Sequence, residues 1–174
     1  MTEISIRDAT PGDLAAITRI YADAVIHGTA SFELEPPDQA EMARRQQALL
    51  ARNYPYLVAE RAGIVAGYAY AAPYRERRAY DWCVEDSLYI APELHRRGIG
   101  RRLLLRLVAE AEALGFRQMV GVIGDSANTA SVAVHAAAGF RLIGVFASIG
   151  FKHGRWLDTV LMQRALGSGD AAPP

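Results

Sequence analysis

Val84-Glu85-Asp86-Ser87-Leu88-Tyr89-Ile90-Ala91-Pro92, followed by His95-Arg96-Arg97-Gly98-Ile99-Gly100-Arg101, decides the fold of this chain. The first part reads as an apolar strand that carries a carboxylate, Glu85. The second is a basic, glycine-rich turn. Beyond it Leu103, Leu104, Leu107, Val108 and Ala111 recur at helical spacing and predict a long helix over 98–114. The first amides of a helix have no intrahelical partner, and the helix dipole favours negative charge beside them. Glycines let a ligand approach the backbone, and arginines add charge. Together these features form a cradle for a pyrophosphate. An anion clamp next to a strand carboxylate suits group transfer from a nucleotide-bearing donor.

Outward from this stretch the pattern alternates between strands and helices. Ile4-Ser5-Ile6-Arg7 predicts a short strand. Thr10 as N-cap and Pro11 at the first helical position open a helix with Leu14, Ile17, Ile20 and Tyr21 on its apolar stripe. A loop with Gly28 and Pro36-Pro37 leads to a second helix over 38–52, with Asp38 as cap and Met42, Leu49 and Leu50 as its apolar face. Strands are expected over 56–60 and 64–71, joined at Ala62-Gly63, and over 83–90. Gly115 is the expected stop of the long helix. A buried strand over 117–123, a short helix over 128–138 stopped by Gly139, and strands over 140–146 and 157–164 complete the chain. The reading is an α/β fold: a mixed twisted sheet of about seven strands with helices on both faces. One domain over 1–166 and a disordered tail over 167–174 are expected.

Bulk composition narrows the classes. The 174 residues suit one domain with a sizeable core. Lys plus Arg and Asp plus Glu are both 19, so the net charge is zero, which argues against a nucleic-acid binder. Cys83 is the only cysteine and excludes an internal disulfide. The charged start, Met1 to Asp8, lacks a signal-peptide core, and no apolar run is long enough for a bilayer. A cytoplasmic protein with no membrane partner and no metal is expected.

The glycine turn is neither of the two commonest phosphate loops. Leu103 stands where a dinucleotide fingerprint needs its third glycine, and no Gly-x-x-x-x-Gly-Lys-Ser/Thr run occurs. Downstream, Asn128-x-x-Ser131-x-x-x-His135-x-x-x-Gly139-Phe140 follows the next strand. Ser131 and His135 share one helical face. Taken singly, His135 reads as structural and Asn128 as a helix cap.

In combination these residues resemble the GNAT superfamily of N-acetyltransferases. His95 to Gly100 resembles that family's Gln/Arg-x-x-Gly-x-Gly/Ala motif, with His95 in the first place. Asn128, His135, Gly139 and Phe140 resemble its Asn…Tyr…Gly-Phe pattern, with His for Tyr. Glu85 in Val-Glu-Asp-Ser-Leu-Tyr, the preceding Ala79-Tyr80-Asp81-Trp82 and Lys152-His153-Gly154-Arg155-Trp156-Leu157-Asp158 are similar to the phosphinothricin and methionine sulfoximine acetyltransferase branch, which also carries His at that place. The resemblance runs from Ile4 to Leu166 and implies a GNAT fold, acetyl-CoA as co-substrate and a bulge or gap between the fourth and fifth strands. It implies that Leu88, Tyr89 and Ile90 meet the pantetheine arm, that Arg96, Arg97, Gly98, Ile99, Gly100 and Arg101 take the pyrophosphate, and that Asn128 lies on the cofactor side. A homodimer is also implied, with the Gly150–Asp158 segment as a candidate contact.

Acetyl transfer to an amine needs a base, and Glu85 is the candidate; His135 is the candidate acid for the departing thiolate. Arg75, Arg77, Arg78 and Tyr80 form a basic, aromatic patch before Glu85, and arginine grips carboxylate or phosphinate groups at two points; the resemblance implies that Arg75, Arg77 and Tyr80 in this loop hold such groups of the acceptor and that Phe32 lines the same pocket. The expected acceptor is a small amino-acid analogue: methionine sulfoximine, methionine sulfone or phosphinothricin. Two alternatives stand beside it, a peptide or protein N-terminal acetyltransferase and a non-catalytic acetyl-CoA sensor.

Overall fold

The computed structural model describes residues 3–174; Met1 and Thr2, which begin the charged Met1–Asp8 stretch, lie outside the described residues. The strands are β1 (Ile4–Asp8), β2 (Tyr56–Arg61), β3 (Ile64–Pro73), β4 (Cys83–Ile90), β5 (Gln118–Gly124), β6 (Arg141–Lys152) and β7 (Arg155–Ala165). The helices are α1 (Leu14–His27), α2 (Gln39–Leu50), α3 (Ile99–Ala113) and α4 (Thr129–Ala137). One seven-stranded sheet runs in the order β1-β2-β3-β4-β5-β7-β6. Among the described residues only β4 and β5 pair in parallel, with α3 as the crossover between them. The first four strands form an antiparallel meander.

Each face of the sheet buries its own core. On one face α3 lays Ile99, Leu103, Leu104, Leu107, Val108 and Ala111 against Leu57, Val84 and Met119. Their spacing of three and four is the stripe the sequence predicts. On the other, α1 and α2 bring Ile17, Tyr21, Val25 and Met42 onto Tyr56, Val58 and Tyr68. The face of α2 differs from expectation. Gln46 is buried and Leu50 is 44% exposed, because Met42, Gln46 and Leu49 share the i, i+4, i+7 stripe and Leu50 falls beside it.

Local signals hold where the backbone demands them. Asp38 accepts a hydrogen bond from the Glu41 N–H at 2.8 Å and caps α2. Ala62 and Gly63 both have positive φ, as a two-residue turn between β2 and β3 requires. Gly115 has φ +88° and ends α3, while the Phe116 N–H reaches back to the Ala111 carbonyl. The last hairpin is longer than expected. β6 continues past Phe146 through Gly150 to Lys152, with register shifts between Leu142 and Gly144 and between Phe146 and Gly150. Gly150 therefore sits inside a strand rather than in a turn. After β7, Leu166 is buried, the Gly169 N–H donates to its carbonyl, and Arg117 donates to the Pro173 carbonyl.

The decisive feature is where one ladder stops. β4 and β5 pair from Cys83↔Gln118 to Asp86↔Gly121 and no further. Beyond that point β4 keeps its register with β3 to Ile90, and β5 keeps β7 to Gly124. The two strands diverge into a wedge, without a register shift in the β3–β4 ladder. Among the described residues no helix is long and apolar enough to cross a membrane.

Candidate active site

A cavity of about 260 Å³ fills the wedge. Glu85, Asp86, Leu88 and Tyr89 line it from β4, Val122 and Gly124 from β5, Asn128, Ser131 and His135 from the cap, first turn and last turn of α4, and Phe32 from the loop after α1. Six of the residues the sequence singles out thus meet in one place: Phe32, Glu85, Leu88, Tyr89, Asn128 and His135.

Period two on β4 sends neighbouring side chains to opposite faces. Glu85 shares the α1–α2 face with Tyr89, whose ring packs edge-on to Tyr21 at 5.0 Å. Burial pushes the Glu85 carboxyl up from about 4.5 to about 7; the nearby charge of Asp86 adds to this and Arg75 opposes it. Asp86 lies on the α3–α4 face, 3.0 Å from Nε2 of His135. His135 Nδ1 donates to the Ser131 carbonyl at 2.8 Å. Burial works to lower the His135 pKa, but the hydrogen bond and charge of Asp86 outweigh it and leave the ring above the ordinary imidazole value. Asp86 escapes a motif reading, yet an acid between the inward residues Val84 and Leu88 is itself a signal.

Gly121 makes room for this pair. A Cβ there would lie 2.8 Å from Cδ2 and 3.0 Å from Nε2 of His135. Phe32 is seated in the same way: a Cβ on Gly150 would lie 2.3 Å from its ring, and one on Gly124 2.9 Å from it. The buried Lys152 ammonium donates to the Ser31 carbonyl at 2.7 Å, and His153 donates to the Gly28 carbonyl at 3.1 Å. The loop bearing Phe32 is therefore clamped to the β6–β7 hairpin.

The open end of the wedge points to the start of α3. Gly98 (φ +75°) caps the helix and Arg96 has φ +59°. Arg96, Arg97 and Arg101 are exposed there. The amides of Ile99, Gly100 and Arg101 precede the first intrahelical bond, from the Arg102 N–H to the Gly98 carbonyl. Nothing inside the chain requires glycine at 100. A Cβ would meet Leu88, Ile90 and Val134 at ordinary distances of 3.6 to 3.9 Å. The missing methyl leaves space for something outside the chain. His95 stays exposed and donates from Nε2 to the Ile90 carbonyl at 3.0 Å, so it ties off the end of β4. Asn128 accepts from the Ser131 N–H at 3.2 Å and caps α4.

Arg75, Arg77 and Tyr80 do not line the cavity. They occupy the exposed segment between β3 and β4, where Arg75 lies over the Tyr74 ring and Tyr80 packs edge-on against it at 5.6 Å. Of the three, Arg75 reaches the site electrostatically, through its effect on Glu85. Burial, with Glu85 beside it, pushes the Cys83 thiol up to about 11, which leaves it a poor nucleophile. Among the described residues no group of three His, Cys, Asp or Glu side chains gathers to hold a metal.

Known proteins share this architecture. The chain is 54% identical over 170 residues to a phosphinothricin N-acetyltransferase of Alcaligenes faecalis, covering 98% of this chain and 86% of that protein. It is 38% identical to an L-methionine sulfoximine/L-methionine sulfone acetyltransferase of Salmonella typhimurium, covering 94% and 95%. A crystal structure of a GNAT superfamily phosphinothricin acetyltransferase from Sinorhizobium meliloti, in complex with AcCoA, superposes with a TM-score of 0.96 at 50% identity, covering 100% of this chain and 94% of that one. Residues 14–140 match the profile of the Acetyltransferase (GNAT) family. With the splayed β4–β5 pair and the glycine turn at α3 already in place, these matches mean that the chain belongs to the GNAT acetyltransferase family.

Proposed function

We propose that this protein is an acetyl-CoA-dependent N-acetyltransferase. Its acceptor is the α-amino group of a small amino acid with a second polar tetrahedral group, of the methionine sulfoximine, methionine sulfone or phosphinothricin kind. The observation that carries this reading is the end of the β4–β5 ladder at Asp86 and Gly121, one residue beyond Glu85. The names of the relatives support the donor and the acceptor class.

The wedge fits the donor on the chain's own terms. Past the ladder's end, Leu88, Tyr89 and Ile90 pair only with β3, which turns a free strand edge toward the gap. The space at Gly100 and the amides of Ile99, Gly100 and Arg101 suit a diphosphate, with Arg96, Arg97 and Arg101 beside them. Asn128 sits on the same side. Bound there, acetyl-CoA supplies an acetyl thioester.

The chain's residues supply the proton transfers. A free α-amine has a pKa of about 8. Glu85, at about 7, accepts a proton from such an amine at small cost. Free N–H groups on the β4 edge stabilise the charge that develops on the carbonyl oxygen. His135 returns a proton to the departing sulfur. Phe32 closes the apolar side of the acceptor site, and Arg75, beside the cavity and near enough to act on Glu85, is the residue placed to meet the acceptor's charged groups, whereas Arg77 and Tyr80 stay outside the cavity. A free-thiol release assay tests the reading. Turnover of methionine sulfoximine, methionine sulfone or phosphinothricin and none of their N-acetylated forms is expected. Turnover of peptides alone would overturn the acceptor assignment.

The reading includes a homodimer. β6 is an edge strand, and Leu142, Phe146, Ile149 and Phe151 on it are 52 to 61% exposed. Trp156 packs on Phe151 and is 62% exposed. Edge strands of this length and apolarity are covered in stable proteins. Light scattering should give twice the 18.9 kDa chain mass, and a monomer at micromolar concentration would remove the dimer.

A further inference from the structure

The gap between β4 and β5 has a counterpart on the other edge of β4. The β2–β3 ladder shifts register from Ala59↔Gly67 to Glu60↔Val65, so Ala66 is an extra residue and β3 bulges there. The bulge stands opposite the end of β4: Gly67 pairs with Ile90, and the Ala91 N–H donates to the Ala66 carbonyl at 2.9 Å. The two strands approach here too closely for a side chain at 67. A Cβ on Gly67 would fall 2.5 Å from Cδ1 of Ile90, 2.7 Å from the Tyr89 carbonyl oxygen and 3.2 Å from the Ile90 Cα. Rotation of the Ile90 side chain relieves the first contact, but the other two are with backbone. The φ of Gly67 is not positive, so glycine serves the close approach here and not a turn. β3 is held by β2 on its other edge, whereas past Asp86, among the described residues, no strand pairs with the far edge of β4. An added Cβ therefore moves the end of β4 toward β5.

We propose that Gly67 is a positioning residue for acetyl-CoA: by carrying no Cβ it lets the end of β4 lie against β3 and so holds the free edge of β4 away from β5. The inference rests on the N-acetyltransferase reading above. In an antiparallel ladder, residues whose N–H and C=O face one neighbour alternate with residues that face the other side. The Ala91 N–H points to β3, so Tyr89 faces β3 as well, and Leu88 and Ile90 turn their backbone groups to the gap. His95 already occupies the Ile90 carbonyl, which leaves the Ile90 N–H and both Leu88 groups for the donor. A shift at Tyr89 and Ile90 carries these groups with it and narrows the wedge on its way to the start of α3. Glu85 lies upstream, opposite Ala72, where β4 is paired on both edges. The acceptor side therefore stays in place when the end of β4 moves.

Calorimetric titration with acetyl-CoA tests this without turnover. Gly67→Ala should weaken acetyl-CoA binding about tenfold or more and leave the acceptor KM within about twofold of the wild type. Overpacking should also lower its Tm, so a second variant separates packing from positioning. Gly67→Ala/Ile90→Val moves one methyl group across the contact. It removes the overlap with Cδ1 and keeps the overlap with the Tyr89 carbonyl. Volume-conserving changes are tolerated best, so Tm should recover most of its loss. The acetyl-CoA Kd should stay several-fold above that of Ile90→Val alone, which serves as the reference. Equal acetyl-CoA affinity in Gly67→Ala and the wild type would overturn the proposal. So would a double variant that binds acetyl-CoA as tightly as Ile90→Val, because Gly67 would then be a packing residue only. If Gly67→Ala does not fold, the double variant decides. Wild-type protein that binds no acetyl-CoA would remove the parent reading, whereas binding by the wild type and equal binding by Gly67→Ala would remove this inference alone.

Discussion

Glu85 and His135 reach the end of the β4–β5 ladder from opposite faces of the sheet. Glu85 belongs to the α1–α2 side, and His135 meets β4 through Asp86 on the α3–α4 side, yet both line one cavity. A base and an acid that served one reaction without neutralising each other would need this separation. Adjacent positions on a strand provide it, because successive side chains point to opposite faces.

Glu85→Gln separates binding from chemistry. Loss of a general base typically costs about 10²- to 10⁴-fold in rate, and kcat should fall by that order while the KM for acetyl-CoA changes by less than about twofold. In the wild type, kcat/KM should rise with pH through about 7 as Glu85 loses its proton. The same shift has a stability consequence. Because the folded pKa is raised, the folded state holds this proton more tightly than the unfolded chain. Its favourable contribution is complete below about 4.5 and is lost as pH rises through about 7. Glu85→Gln should therefore raise Tm more at pH 8 than at pH 5, measured by calorimetry.

Gly100→Ala tests the cradle. An added Cβ makes ordinary contacts within the chain, so the fold should survive. Acetyl-CoA affinity should fall about tenfold or more, roughly 1.4 kcal/mol. Titration calorimetry showing equal affinity would move the diphosphate away from α3.

Gly121→Ala tests the room made for His135. The new methyl would lie 2.8 Å from the ring, and neither Asp86 nor Ser131 can follow it without breaking a hydrogen bond. Overpacking of this kind costs about 1–3 kcal/mol. Urea unfolding should show a loss in that range, and kcat should drop with it. A fully stable and active variant would show that the ring has slack.

Much of this site is legible in the chain, and the rest is hidden for a definite reason. Strand and helix periods place Glu85, Leu88 and the α3 stripe, and the turn chemistry of Gly98 and Gly115 marks the helix ends. These are local signals. Asp86 and His135 are 49 positions apart, and Lys152 and Ser31 are 121 apart. No local pattern reports such pairs. Gly124 and Gly150 answer to distant partners in the same way: a Cβ on Gly124 would strike the Thr29 carbonyl and the Phe32 ring, and one on Gly150 the Phe32 ring. Arg75, Arg77 and Tyr80 form a conspicuous basic, aromatic run, yet in the chain as it stands they remain exposed beside the site rather than in it.

Lys152→Met tests the clamp on the Phe32 loop. Methionine keeps most of the buried volume but leaves the Ser31 carbonyl without its donor. An unmet buried acceptor costs about 1–3 kcal/mol. The acceptor KM should rise several-fold while the KM for acetyl-CoA holds. Equal changes in both would mean that the hairpin supports the whole wedge rather than the acceptor side alone.

The most direct test of the account is a crystal structure of this protein with acetyl-CoA bound. The diphosphate should lie on the amides of Ile99, Gly100 and Arg101, and the thioester should lie between Leu88 and Val122 with its carbonyl carbon facing the Glu85 side. A diphosphate bound away from the start of α3, or a thioester outside the β4–β5 wedge, would contradict it.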